Sequence, residues 1–484
     1  MIFNSLTFLV FLAIIVTAYW LLPNRLRLYL VFLSSLTFYG FWRIEFIPVM
    51  LFSVILDYFI GIKLEKNEDQ KIRKRYVLLS LLGNLGLLFY FKYLIFFSNT
   101  AIGIGNLLGL TLDPIALKII LPLGISFYTF QTISYTIDVY RKKIAPEKDF
   151  ILYASYVTFF PQLVAGPILR AGEVIHQLSH RAQFEWDNIS TGLRRIFYGL
   201  FLKVILADNL APFVDTGFNM SIAEMSALDV WTLSFLFGFQ IYFDFSAYSH
   251  IALGSAKLMG INFPENFNFP YLATSPRDFW KRWHISLSSW IRDYLYLPLA
   301  GVKLSTESSS GGGLEVAVTQ DKKDRALFSS WAIMGLWHGA NWTFVVWGLY
   351  HAICIYVYRL INTSNLLASI NINHVLGIAL TLPIMMLGWI PFRADSVSDT
   401  FSMWIKVIDP ASYTFLGMRE NAYLVAALIL IGIFITKFVT NFVKKNINIE
   451  GYLFKSLETL LYFIILPLVL IFLRPINQFI YFQF

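Results

Sequence analysis

Long apolar runs dominate the pattern of hydrophobic and polar positions along the chain. Runs such as "TFLVFLAIIVTAYWLL" (7–22) and "AYLVAALILIGIFI" (422–435) are continuous, without the alternation that membrane β-strands require. Uncharged runs of about 18 residues or more recur, which is long enough for a helix to cross a bilayer core. Because lipid tolerates only helices and closed barrels, the pattern predicts an all-α, polytopic integral membrane protein.

The same pattern predicts about ten to thirteen membrane helices, with further interfacial or re-entrant helices, in a single membrane domain over residues 1–484. Some of the apolar segments are too long, or too interrupted by Gly and Pro, for one clean crossing. The candidate segments lie near 5–22, 28–42, 46–62, 77–97, 115–137, 151–168, 194–214, 229–259, 328–360, 373–392, 421–441 and 456–473.

The charged segment "KLEKNEDQKIRKRY" (63–76) predicts the orientation of the chain in the membrane. It is a loop rich in Lys and Arg, and such loops remain in the cytoplasm. Three crossings before it place the N-terminus outside the cytoplasm. Arg25 and Arg27, after the first span, then also fall inside, so the two loops agree.

Composition supports this class of protein and narrows the chemistry. The chain is 57% hydrophobic and 14% charged, with a mean hydropathy of +0.62. Its one cysteine, Cys354, excludes an internal disulfide and a cysteine-based metal site. The net charge of +8 follows from basic cytoplasmic loops and indicates no nucleic-acid partner. No P-loop, dinucleotide-binding turn or zinc pattern occurs, so we expect no bound cofactor or metal.

The stretch "TSPRDFWKRWHISLSSWIRDYLYLPLAG" (274–301) begins like a helix, with Ser275 as cap and Pro276 in the first turn. At about 100° per residue it separates an aromatic face from a basic one, with His284 on the border. Such a helix lies in the membrane surface, either as an anchor with His284 at the water line or as a surface that attracts an anionic ligand. The aromatic face holds Trp280, Trp283, Leu287, Trp290 and Tyr294, and the basic face Arg277, Lys281, Ser288 and Arg292.

A second stretch, "SSWAIMGLWHGANWTFVVWGLYHAI" (329–353), contains His338 inside an apolar run. A neutral imidazole is the side chain best suited to accept a proton near neutral pH, so His338 is a candidate general base. Asn341, three residues on, shares a helix face with it and can orient the ring. The alternative is a histidine hydrogen-bonded inside a helix bundle. On one continuous helix His351 points elsewhere, so we do not expect it to act with His338.

Three further features stand out. Asp244 interrupts an aromatic run and is interpreted as a carboxylate bound by Tyr or Ser hydroxyls, or as part of a relay or substrate site. The stretch "FFPQLVAGPILR" (159–170) predicts a broken helix or re-entrant turn. The segment "STESSSGGGLEVAVTQDKKD" (305–324) predicts a flexible loop, either a plain linker or a regulatory element.

The sequence resembles a known family of membrane proteins. "SPRDFWKRWHISLSSWIRDYLYLPLAG", followed by "GLWHGANWTFVVWGLYHA", is similar to the membrane-bound O-acyltransferases, in the bacterial branch of the alginate O-acetyltransferases. The similarity extends over nearly the whole chain. The other matching stretches are "MIFNSLTFLVFLAIIVTAYWLLP", "GISFYTFQTISYTIDVYR" (124–141), "FFPQLVAGPILR" and "FDFSAYSHIALGSAKLMGINFPENFNFPY" (243–271).

The resemblance implies a helical fold around a central funnel or tunnel, in the cytoplasmic membrane of a bacterium. It implies that His338 is the essential histidine and that His284 is the histidine of the upstream motif. An acyl group, usually acetyl in this branch, would pass from a cytoplasmic donor to extracytoplasmic polysaccharide machinery.

The donor would be a co-substrate, acetyl-CoA or an acyl carrier, and an extracytoplasmic acetyltransferase or polysaccharide-modification protein would be the partner. The segment 305–324 departs from the family pattern, in which this connection is shorter. The residues assigned to donor or substrate contacts are Arg277, Lys281, Arg282, Arg292, Asn341 and Asp244.

Two other classes of function remain open on the sequence, as does a related acyl donor. A transporter or flippase for a lipid-linked or sugar substrate would use the same broken helices without covalent transfer. A structural subunit of an envelope complex would need neither histidine. The related branch that transfers D-alanine to teichoic acids from a carrier protein is the third alternative.

Overall fold

The computed structural model describes residues 1–114, 117–180, 182–302, 319–363, 373–446 and 452–473. The described residues form helices and connecting turns, without a β-strand. Their buried side chains form a core that extends from Phe3 to Val469. The all-α fold predicted from the apolar runs is therefore confirmed.

The N-terminal helices pack as antiparallel neighbours joined by short turns. Phe3 and Phe8, at the start of the first helix, contact Phe38 at the end of the second. Ser5 caps the first helix by accepting a hydrogen bond from the Phe8 amide. These helices are α1 (Leu6–Leu21), α2 (Asn24–Gly40), α3 (Ile47–Lys66), α4 (Gln70–Leu88) and, after a π-helical turn at Phe89–Tyr93, α5 (Leu94–Leu107).

The remaining helices include both long spans and short broken pieces. The middle of the chain comprises α6 (Ile125–Tyr140), α7 (Phe150–Thr158), α8 (Ala171–Ser179), α9 (Trp186–Phe201), a π-helical turn (Leu202–Ala207), α10 (Asp208–Phe218), α11 (Ala227–Leu258), α12 (Pro276–Trp280), α13 (Ile285–Ile291), a second π-helical turn (Arg292–Tyr296) and α14 (Leu297–Leu299). The last part comprises α15 (Gln320–His338), α16 (Trp342–Thr363), α17 (His374–Leu387), α18 (Ile390–Arg393), α19 (Val397–Ile408), α20 (Glu420–Asn446) and α21 (Tyr452–Phe472).

Five stretches of described helix are long and apolar enough to cross a bilayer. They are Ile44–Lys66, Gln70–Leu107, Trp186–Phe218, Trp342–Asn362 and His374–Arg393, and shorter apolar helices accompany them. The total number of crossings stays a prediction, because length and composition alone define these spans.

The predicted loop 63–76 is mostly helical, because α3 and α4 extend into it and only Asn67–Asp69 connect them. Arg73 is buried, which the interpretation as a charged loop missed. Its guanidinium donates to the carbonyls of Leu64 and Tyr140, the latter at 2.7 Å, and so caps the ends of α3 and α6.

Two predicted spans begin or end differently from the expectation. Residues 115 and 116 of the predicted span 115–137 lie outside the described residues, and from residue 117 onward the span is helical only from Ile125, after Gly124 in a left-handed conformation with φ of 71°. The span 151–168 ends as a helix at Thr158 and continues as tight turns, which confirms the predicted break in "FFPQLVAGPILR".

Of the segment 305–324, residues 305–318 lie outside the described residues, whereas α15 already begins at Gln320.

The apolar stretch 328–360 is a hairpin of two helices, α15 and α16, that turns at residues 339–341. Glycines let the two backbones approach closely. A Cβ atom on Gly335 would lie 2.1 Å from the Phe344 carbonyl oxygen, and one on Gly348 would lie 2.2 Å from the Trp331 oxygen. Backbone contact of this kind is typical of small residues at helix interfaces in membranes.

We expect Gly335→Ala to destabilise the hairpin by about 1–3 kcal/mol, because the added methyl group meets backbone that cannot move aside. Thermal unfolding of the detergent-solubilised protein would measure the loss. Gly86→Ala is the matched control, since a Cβ there meets nothing within 4 Å. Equal melting temperatures for the two variants would contradict this interpretation of the hairpin.

The predicted orientation can be tested with single cysteines in a Cys354→Ala background. Glu45 lies exposed between α2 and α3, and Glu68 lies exposed in the turn between α3 and α4, at the opposite ends of α3. A membrane-impermeant maleimide should label Glu45→Cys in intact spheroplasts, and Glu68→Cys only after permeabilisation. The reverse labelling would invert the predicted topology.

Candidate active site

His338 is the last residue of α15 and lies at the turn into α16. Its side chain is 5% exposed and packs among aromatic rings. The ring centroids of Trp337, Trp347 and Phe392 lie 5.0, 4.8 and 5.3 Å from the imidazole. The imidazole is therefore buried among aromatic rings at a helix end.

His284 lies at a break between α12 and α13, with a left-handed φ of 41°. It is fully buried, so the predicted position at the water line is wrong. The predicted continuous surface helix is also wrong, because the neighbouring backbone pairs with a distant segment. The amide of Ile285 donates to the Asn266 carbonyl, and that of Asn268 to the Arg282 carbonyl, each at 2.9 Å. These bonds hold a conformation that costs a non-glycine residue energy.

The side chain of Asn266 fixes His284 from the side. Its Oδ1 lies 3.2 Å from the His284 Nδ1 and accepts a hydrogen bond from the Ser286 hydroxyl at 2.9 Å. This contact joins residues 18 apart in the chain, on either side of a loop. The imidazole orientation is thereby set by a polar partner inside the protein, as is typical of functional histidines.

Trp337 connects the two histidines. Its ring centroid lies 6.4 Å from that of His284 and 5.0 Å from that of His338. Phe130 stacks on the same indole at 5.2 Å, and Trp290 stacks on Phe130 at 3.8 Å with nearly parallel planes. A column of aromatic rings therefore extends from α13 through α6 to His338.

His351 lies close to His338, because the chain between them forms a hairpin and not the one continuous helix that the sequence predicted. The hairpin brings both residues to the same indole: Trp347 lies 4.8 Å from His338 and 4.9 Å from His351. His351 is fully buried, and among the described residues neither of its ring nitrogens has a hydrogen-bond partner.

A cavity of about 350 Å³ opens beside His338. It lies at the end of the bundle that carries the N-terminus and the α2–α3 connection, opposite the α3–α4 turn. This is the face for which the basic loops predict an extracytoplasmic position. The cavity is lined by Met1, Ile2, Phe41, Trp42, Lys92, Leu121, Pro122, Leu123, Gly124, Ile125, Ser126, Phe127, Val164, Trp337 and His338.

Lys92 lies in this cavity and was missed by the sequence analysis. Its Nζ donates to the carbonyls of Trp337 and His338, at 2.5 and 3.1 Å. The one signal in the sequence is a single lysine inside the apolar run "LLFYFKYLIFF" (87–97). Its partners lie about half the chain away, which no local pattern reveals.

The basic residues predicted to meet the donor fall into two groups. Arg277, Lys281 and Arg292 are exposed, whereas Arg282 is half-buried and forms an ion pair with Asp278 at 2.9 Å. Beside Arg292, Asp293 also pairs with Arg170 at 2.7 Å. Burial opposes ionisation of Asp293, but hydrogen bonds from Arg292 and the charge of Arg170 hold the pKa of that carboxyl below its ordinary value.

Asp244 and Asn341 have partners that the sequence did not predict. Asp244 is buried and accepts a hydrogen bond from the Lys203 ammonium at 2.6 Å, where hydroxyl partners were expected. Lys203 also pairs with Asp208 at 2.9 Å. Asn341 does not share a helix face with His338, because α15 has ended; its side chain accepts from the Thr343 amide and caps α16.

No group of three or more His, Cys, Asp or Glu side chains within the described ranges is placed to hold a metal ion. The site brings together three polar side chains. These are a buried imidazole beside a cavity, a second imidazole fixed by an amide, and a lysine at the helix end.

The chain is similar to known proteins of one family. The family model described as MBOAT, membrane-bound O-acyltransferase family, matches residues 148–392. The probable alginate O-acetylase AlgI of Azotobacter vinelandii is 34% identical over 87% of this chain and 80% of its own length. The peptidoglycan O-acetyltransferase of Helicobacter pylori is 34% identical over 80% of this chain and 75% of its own length.

A more distant relative is the teichoic acid D-alanyltransferase of Bacillus subtilis, which is 29% identical over 50% of this chain and 60% of its own length. The matched region, 148–392, includes His284, His338 and Asn266. The chain is thus a membrane-embedded acyltransferase, and it belongs to the membrane-bound O-acyltransferase family.

Proposed function

We propose that the protein transfers an acetyl group from a cytoplasmic thioester donor to a hydroxyl group on the opposite side of the membrane, for O-acetylation of an extracytoplasmic polysaccharide. The observation that carries the proposal is the position of His338, which lies buried beside a cavity at the end of the bundle opposite the basic α3–α4 turn. Relatives that are named O-acetylase or O-acetyltransferase support acetyl as the group transferred.

His338 acts as general base in this proposal. Its imidazole takes the proton of the acceptor hydroxyl, and the oxygen attacks the carbonyl carbon of the acetyl thioester. A new C–O bond forms, the C–S bond breaks, and the proton passes from the imidazole to the leaving sulfur. The donor is already activated, so the chain needs no cofactor of its own and contributes position, dryness and a base.

His284 belongs to the donor side of the site. It lies next to Trp337, and through this indole it is one ring away from His338. The Asn266 side chain fixes the imidazole, which favours an orienting role toward the incoming acyl group. Among the residues assigned to substrate contacts, Asp244 is better explained as part of a structural ion cluster with Lys203. Asn341 stays a candidate on the acceptor side.

The exposed residues Arg277, Lys281 and Arg292 are the proposed contacts for a phosphate-bearing donor such as acetyl-CoA or an acyl carrier. Arg282 and Arg292 contribute less than Arg277 and Lys281 in this proposal, because each already forms an ion pair, with Asp278 and Asp293 respectively. The acceptor would be the glycan itself or an extracytoplasmic acetyltransferase partner in the cytoplasmic membrane of a bacterium. A D-alanyl donor is the second candidate, supported by the relative from Bacillus subtilis.

His338→Ala should abolish transfer of label from radiolabelled acetyl-CoA to envelope glycan, because the proposed general base is then removed from the cavity. The assay compares membranes with equal amounts of wild-type and variant protein. His351→Ala is the matched control: it also removes a buried imidazole from Trp347, but not from the cavity lining, and should retain activity. Equal labelling by wild type and His338→Ala would reject the proposal, and label from a D-alanyl carrier alone would favour the second candidate.

The double variant Arg277→Gln/Lys281→Gln should raise KM for acetyl-CoA about tenfold, equivalent to about 1.4 kcal/mol, with kcat nearly unchanged. Both side chains are exposed, so folding should not suffer. Lys148→Gln is the control. This lysine is also exposed, and its ammonium group already pairs with Glu65. An unchanged KM for the double variant would place the donor phosphates elsewhere.

A further inference from the structure

Lys92 lies where α4 passes into α5 through a π-helical turn, Phe89–Tyr93. Such turns are rare and occur frequently at functional sites, because the extra residue redirects a side chain. A lysine within an apolar helix is costly unless it has polar partners or a function. The ammonium group has partners here, and they are at the site already described.

The partners of Lys92 are backbone carbonyls at the end of α15. The last carbonyls of a helix have no partner within the helix, and inside a membrane they must find one elsewhere. Lys92 Nζ bonds the oxygens of Trp337 and His338, and the neighbouring Tyr93 hydroxyl bonds the oxygen of Leu336 at 3.1 Å. Three consecutive carbonyls are thus satisfied by two adjacent side chains from another helix.

The two contacts differ in what they hold. The neutral hydroxyl of Tyr93 stabilises the end of α15 by donating to the Leu336 carbonyl, one residue before Trp337. Lys92 bonds the backbone of His338 itself, and it lines the same cavity as the imidazole. Lys92 therefore fixes the point from which the His338 side chain extends.

We propose that Lys92 is a positioning residue for acyl transfer, which holds His338 at the distance and angle at which its imidazole meets the acceptor hydroxyl. This rests on the proposed role of His338 as base. A displacement of about 1 Å in a reacting group can lower a rate by about 10²-fold. The loss should therefore appear in kcat, while binding of the donor on the other side of Trp337 is unchanged.

The test measures initial rates of label transfer from radiolabelled acetyl-CoA in membranes with quantified amounts of wild type, Lys92→Met, Lys92→Arg and Tyr93→Phe. We expect Lys92→Met to lower kcat by about 10²-fold with an unchanged KM for acetyl-CoA. Lys92→Arg should recover most of the rate, because a guanidinium also donates to carbonyls. Tyr93→Phe removes a cap on the same helix and should keep kcat within about threefold of wild type, because the lost bond is to Leu336 and not to the His338 backbone.

Normal kcat in Lys92→Met would overturn the inference. So would a parallel loss of rate and melting temperature in Lys92→Met and Tyr93→Phe, since that is the behaviour of a general helix cap. If Lys92→Met fails to accumulate, Lys92→Gln decides the matter, because its side chain is shorter and uncharged: a wild-type kcat in this variant would reject the inference. Absence of transfer by wild type, or transfer by His338→Ala, would instead reject the proposed function.

Discussion

Every interruption of a helix inside a membrane leaves backbone groups that lipid cannot satisfy, and the rest of this structure depends on how that demand is met. At the end of α15 the donors are Lys92 and Tyr93. At the break before α13 the donor and acceptor groups come from the segment around Asn266. At the ends of α3 and α6 they come from Arg73. Polar residues thus gather where helices break, and the two histidines lie at such breaks.

Other buried polar groups hold the helices together around this region. Asp57 on α3 accepts hydrogen bonds from Asn84 on α4 at 2.6 Å and from Thr136 on α6 at 2.7 Å. Lys203 joins the π-helical turn after α9 to Asp244 on α11. Each cluster is costly to desolvate and would be more costly to break, because one partner would be left alone in an apolar interior. They fix the register of helices that hydrophobic contact alone would leave free to slide.

Sequence patterns predicted the features that depend on neighbouring residues, and they missed the features that depend on residues far apart in the chain. Helices α1, α2 and α3 were predicted within a few residues, because apolar runs and short polar turns are local signals. His338 stood out because its neighbours in sequence are apolar. His284 was assigned to a surface helix because the spacing of its neighbours suits one, yet a contact with Asn266 breaks that helix. Lys92 lies 245 residues from Trp337, and only the folded chain brings them together.

The stack of Trp290, Phe130 and Trp337 has a consequence for the passage of water and protons through the protein. The Trp337 indole borders the cavity, and Phe130 and Trp290 are packed behind it as buried rings with a closest centroid separation of 3.8 Å. A continuous chain of water molecules conducts protons. Stacked aromatic rings leave no room for such a chain. A permanent aqueous path across a membrane would dissipate a proton gradient. In the proposed reaction, which needs access from both sides of the membrane, the aromatic column would keep the site from becoming a proton leak.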